Sequence, residues 1–222
     1  MTFKEVIKKV FKIFSIVSTI TFILSLVIGA LVYFDGQKFN EGFQSKEKIF
    51  LLNDEGITIG VSLADATNPD TISYFSEDQL TSLTNLNVNQ DYNTMLQDSW
   101  KLLVVDISML KDAGSVETSP EQFLTNEQAL KLLRSDDPNM VLYNSIYGEI
   151  EESQIERSPN QELKGSIFLI MLNQVLRNDP VTFYKAIKNE KIIIYPETIL
   201  FKVIKIVPDK ALDKVSQIKR GE

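Results

Sequence analysis

Hydrophobic and polar positions recur with different periods along the chain, and each period predicts a different element. The first stretch has no polar face. Residues 13–34 read IFSIVSTITFILSLVIGALVYF, 22 positions without a charge. At about 1.5 Å rise per residue, a helix of that length crosses a hydrocarbon core of about 30 Å. Its polar members are Ser15, Ser18, Thr19, Thr21 and Ser25. Their hydroxyls can bond back to the preceding turn, so they are tolerated in lipid, and small hydroxyl residues also suit contacts between helices. Tyr33 and Phe34 close the run where an aromatic belt lies. A cleaved signal peptide has an apolar region of about 7–15 residues with small residues ahead of the cut. This run is longer, and a cut after Ala30 would put Ile28 three positions before it. The expectation is an uncleaved transmembrane anchor.

Beyond the span the pattern is that of mixed secondary structure. Residues 35–47, DGQKFNEGFQSKE, read as a juxtamembrane linker, although Phe39 and Phe43 fall four apart and suit a continued helix. KIFLL, NDEG and ITIGVSL predict strand, tight turn and strand, with Gly56 supplying the turn's positive φ. Residues 64–72 read as loop. Ser76 and Gln79 form a capping box for a short helix from Glu77 to about Asn85, and Asp91 caps a second one through Gln97. In WKLLVVDISML, Leu103, Val105, Ile107 and Met109 alternate strictly, which predicts one strand with a buried face.

Ser119-Pro120 reads as the start of a helical turn, and Thr125 with Gln128 caps a helix that Asp136-Asp137-Pro138 ends. VLYNSIYGEI is expected to be a strand with Tyr143 and Tyr147 on one face. Ser158-Pro159 opens the longest outer helix, to about Asn178; its centre, IFLIML, is apolar on every side and predicts a buried central helix. Pro180 begins another helix ending near Glu190, and KIIIY is a buried strand. ILFKVIKIV fits helix or strand about equally, with the Pro196 opening favouring helix, and Pro208 begins a charged terminal helix.

Helices and strands interleave irregularly, so the expected class is α+β. The expected organisation is a basic N-terminus (1–12), a transmembrane helix (13–34), the linker (35–47) and one compact α+β domain (48–222). Orientation follows from charge. Lys4, Lys8, Lys9 and Lys12 precede the span against one acid, Glu5, whereas nineteen basic and twenty-nine acidic residues follow it. Positive charge near a first span stays cytoplasmic, so the N-terminus is expected inside and the domain outside the cell membrane. FKEVIKKVFKIF is itself amphipathic and reads as an extension of the spanning helix.

Composition then narrows the chemistry. The 222 residues include no Cys and no His, with 23 Lys+Arg against 30 Asp+Glu, a net charge of −7. Disulfides, thiolate nucleophiles, Ser-His triads and the commonest transition-metal ligands are excluded. The acidic balance argues against nucleic-acid binding. An outward domain without Cys and without an Asn-x-Ser/Thr acceptor leans toward a prokaryotic envelope.

The remaining candidate chemistry rests on carboxylates, hydroxyls and lysines. Asn87, Asn89, Asp91, Asn93 and Asp98 occupy positions 1, 3, 5, 7 and 12 of a calcium-like loop. Asn at the first position, Tyr92 in place of the turning Gly and Asp at the twelfth favour a polar loop instead. Asp106 interrupts an apolar strand and is expected at a strand end or facing solvent. Glu149, Glu151 and Glu152 form one acidic cluster, Asp136 and Asp137 another. Asp106 with Glu149 is the least implausible pair for glycoside-type hydrolysis, which needs two carboxyls about 5–10 Å apart. Ser108 and Lys111 match Ser-x-x-Lys, at a frequency chance explains in a Lys-rich chain. No catalytic residue, metal or cofactor is assigned. The leading expectation is a single-pass membrane protein whose outer domain binds or assembles rather than catalyses, with the bilayer and an envelope protein as partners. A carboxylate-dependent envelope hydrolase and a structural spacer are the alternatives.

Overall fold

The computed structural model describes residues 3–45, 47–65, 68–84, 100–119, 121–178 and 180–210. It is mixed α+β, built on a five-stranded mixed sheet. The chain opens with helix α1, Phe3–Ser45. Within it, Val17–Lys38 is a stretch of 22 residues with mean hydropathy 2.2 and nothing buried, long and apolar enough to cross a membrane. The hydroxyls of Thr19, Thr21 and Ser25 donate to the carbonyls of Ser15, Val17 and Thr21 at 2.8–2.9 Å, so these polar side chains are satisfied inside the helix.

Residues 35–45 are helical rather than a linker. Gly36, in this stretch, faces a neighbouring helix at a distance where a side chain would touch Leu200. Helix α1 therefore runs to within one residue of strand β1, Glu47–Asn53. Strand β1 pairs antiparallel with β2, Ile57–Leu63, in the expected hairpin, with Gly56 at φ 137°. Strand β3, Ile72–Tyr74, extends the sheet beyond β2, and β4, Trp100–Asp106, lies parallel to β1. Strand β7, Ile192–Tyr195, pairs antiparallel with β4 and completes the order β3-β2-β1-β4-β7.

Cross-strand register divides the side chains between two faces. Phe50, Val61, Leu103 and Ile194 form one row and Leu52, Ile59, Val105 and Ile192 the next; this face carries the main core. Ile49, Leu51, Leu102, Val104 and Tyr195 lie on the other face in a smaller buried cluster joined by Phe75 and Leu83. Helix α2, Glu77–Thr84, starts at the predicted capping box: Ser76 N–H donates to Gln79 Oε1 at 2.8 Å. Helix α3, Asn126–Arg134, has its predicted box at Thr125 and Gln128.

Helix α5, Asn160–Asn178, is the central element of the main core. Ile167, Phe168, Met171, Leu172 and Val175 are buried in it. Helix α5 reaches the sheet closely because residue 165 is glycine. A Cβ there would stand 2.5 Å from Tyr74 and 2.9 Å from Val61. One residue on, Ser166 and the Tyr74 hydroxyl form a 2.8 Å hydrogen bond. Helix α6, Pro180–Lys188, leads into β7, and α7, Ile199–Ile206, follows it. The ILFKVIKI segment is thus helical.

Three further expectations are corrected. Ile107 and Met109 do not continue β4; Ile107–Asp112 is a 3-10 helix. The Asp106 carboxylate accepts from Ser108 N–H at 2.8 Å and turns the chain out of the strand, a local cap outcompeting the alternation. The segment around Ser119 is not a helical turn, because β5, Val116–Ser119, pairs antiparallel with β6, Gln122–Leu124. VLYNSIY is not a strand but most of α4, Pro138–Tyr147. Asp137-Pro138 both follows α3 and starts α4: Asp137 caps Met140 N–H at 3.1 Å and Pro138 occupies the first turn. Tyr143 and Tyr147 still share a face, at helical spacing, with ring centroids 5.8 Å apart. The helix expected after Asp91 lies outside the described residues, as does most of the one expected after Pro208.

Candidate functional site

The most distinctive arrangement lies where α1 leaves its apolar stretch. Helix α7 is preceded at its N-cap by Thr198, a residue type that normally caps a helix with its own hydroxyl. Here Thr198 makes no cap, and its Oγ1 is buried without a hydrogen-bond partner. Instead the carboxylate of Asp35, on α1, accepts from Leu200 N–H at 2.9 Å. A carboxylate suits that position because the first turn of a helix carries free N–H groups and partial positive charge. Gly36 packs against the Leu200 side chain beside it.

The other end of α7 is held from α6. Lys188 Nζ donates to the Val207 carbonyl at 2.7 Å and pairs with Asp209, whose carboxyl it holds below the ordinary range. Phe201 and Ile204 point into the main core, and the Phe201 ring meets Phe183 edge-on at 6.5 Å. Helix α7 is therefore a clamp between α1 and the domain.

Beside this clamp runs a groove of about 280 Å³ along β7, an edge strand of the sheet. Ile192 to Tyr195 form one wall, Ile187 and Phe201 line it, and a 2.7 Å ion pair between Glu197 and Lys205 borders it. A groove along a strand edge, bordered by one charged pair, can take an extended segment through backbone hydrogen bonds. A second cavity, about 350 Å³, lies between β2, α2 and α5 and is lined by Glu77, Gln161 and Lys164 among others. Burial pushes the Lys164 ammonium below its ordinary pKa, opposed by Asp136 and Glu77.

The residues singled out from sequence are not assembled into a common site. Asp106 is half-buried at the strand end, as expected, and serves as the cap described above. Glu149 is exposed beyond the end of α4. Neither lines either cavity described here. Members of the two acidic clusters do meet, through Arg157: it pairs with Asp137 at 3.0 Å and with Glu152 at 2.8 Å. The guanidinium holds the Asp137 carboxyl below its ordinary range, which suits an ionised structural partner rather than an acid catalyst. Lys111 is exposed and so lacks the desolvation a Ser-Lys nucleophile needs. Asn87, Asn89, Asp91, Asn93 and Asp98 lie outside the described residues. Among the described residues, no three carboxylates converge as a metal site.

Two features had no local sign in the sequence. Asp35 reads as the first charge after the span, and nothing nearby points to a helix end 165 residues away. Lys48 is a charged residue opening the predicted strand KIFLL, yet it is 0% exposed. No protein family, no curated protein and no solved structure matches this chain.

Proposed function

We propose that this chain is a single-pass membrane protein of a prokaryotic envelope, with its N-terminus in the cytoplasm and its α+β domain outside, acting as a non-catalytic binding or assembly module. The observation that carries the reading is the Asp35–Leu200 contact at the exit of an apolar, unburied 22-residue stretch. A passive tether needs only a flexible connection. Here the helix enters the sheet within one residue and is also clamped by α7, so the domain is presented at a set height and angle above the bilayer. Fixed presentation benefits binding a partner at the same surface. The groove along β7 offers that partner an edge strand. An extended segment of another envelope protein fits it best.

The absence of native Cys makes the test direct. Single-cysteine variants Lys9→Cys and Asp112→Cys are treated in whole cells with a membrane-impermeant maleimide. Asp112→Cys is expected to label in intact cells and Lys9→Cys only after permeabilisation; the reverse pattern sinks the topology. A photo-reactive residue at Ile193, in the groove, is expected to yield a defined adduct with another envelope protein in intact membranes. Recovery of uncrosslinked monomer alone rejects the binding role.

A further inference from the structure

Helix α7 carries more apolar surface than its clamp uses. Phe201 and Ile204 face the core and Leu200 faces α1. The opposite side presents Ile199 and Ile206, at 45% and 79% exposure, with Val203 half-buried between them and Lys202 exposed alongside. Positions 199, 203 and 206 fall at helical spacing on one stripe, turned away from the domain. A bare isoleucine nearly four-fifths exposed is unfavourable against water.

The position of this stripe names what covers it. Helix α7 docks on α1 at Asp35 and Gly36, inside the last turn of the Val17–Lys38 stretch. Tyr33 and Phe34 lie immediately before, both exposed, in edge-to-face contact at 5.7 Å, with the Tyr33 hydroxyl accepting from Gln37 Nε2 at 2.8 Å. That is the arrangement of an aromatic belt at a headgroup boundary. The end of α7 at which the stripe begins thus meets α1 where its apolar stretch ends. Lys202, on the border of the stripe, suits anionic headgroups.

We infer that α7 is an interfacial helix: Ile199, Val203 and Ile206 insert into the outer leaflet beside the span, with Lys202 at the headgroups. The domain then rests on the membrane through a second contact, and Asp35 sets the angle between the spanning helix and the one lying in the surface. The inference rests on α1 being a span, and its test separates the two.

Nitroxide labels are placed on single-cysteine variants of the full chain, Ile206→Cys, Ile199→Cys, Leu24→Cys and Asp112→Cys. The variants are reconstituted in phosphatidylethanolamine–phosphatidylglycerol vesicles. Collision rates with oxygen, which partitions into lipid, and with a water-soluble nickel chelate are compared by power saturation. Labels at 206 and 199 are expected to favour oxygen over the chelate relative to Asp112, which is exposed on the turn beyond the far end of β4, and less strongly than Leu24 at mid-span. If Leu24 reports lipid while 206 and 199 match Asp112, α7 is in water and the inference falls with the span intact. If Leu24 also matches Asp112, the span itself is wrong. Labels at 206 and 199 shielded from both reagents mean that protein covers the stripe, which also overturns it.

Discussion

The Asp35 carboxylate caps a helix through the N–H of Leu200, 165 residues later in the chain. The contact joins an apolar helix to the domain it carries. It also replaces the cap that Thr198, with its hydroxyl buried and unpartnered, does not make. Removing the acceptor leaves a half-buried N–H with neither protein nor full solvent to satisfy it. Asp35→Ala is expected to cost about 0.5–2 kcal/mol, the range for losing an N-cap. Asp35→Asn keeps an acceptor oxygen and is expected to lose less. Thermal unfolding of the full chain in detergent reads both; equal midpoints for Asp35→Ala and the native chain would show that the contact contributes nothing.

Helix α5 depends on a missing side chain. Because a Cβ at residue 165 would overlap Tyr74 and Val61, Gly165→Ala forces the helix off the sheet or the Tyr74 ring from its place. The expected loss is about 1–3 kcal/mol, as for overpacked cores. Gly114→Ala, whose added Cβ would stand 3.8 Å from its nearest neighbour, is the matched control and is expected to be near neutral. Urea unfolding midpoints that fall equally in the two variants would refute the close approach.

Lys48 is wholly buried on the main-core face of β1, level with Leu63 across the hairpin and with Lys101 on β4. Burial pushes its ammonium below the ordinary lysine pKa, with Asp65 opposing. Because the folded pKa lies below the unfolded one, the charged form penalises folding. That penalty is complete at pH values below the folded pKa and vanishes once pH passes about 10.4, where both states are neutral. Lys48→Met is therefore expected to stabilise the domain near neutrality. The gain should shrink as pH rises into the alkaline range. A Lys48→Met gain that is absent at pH 7, or that grows toward pH 10, contradicts the assignment.

The sequence by itself was sufficient wherever a signal closes over a few residues. The apolar run of α1, the Gly56 hairpin, the Ser76 and Thr125 capping boxes and the all-apolar centre of α5 each carry their own cause within one or two turns of chain. Periodicity misled where a local cap competed with it: Asp106 ended β4 early, and Asp137-Pro138 started a helix in VLYNSIY. Only the tertiary structure decided what depended on residues far apart. Helix and strand were balanced in ILFKVIKI until Asp35 supplied its cap and Phe201 its place in the core. The same packing buried Lys48, paired Asp137 with Arg157 and left Ile206 bare at the end of α7. A capping box forms because three residues lie next to each other; Asp35 and Leu200 meet only because a whole domain has folded between them.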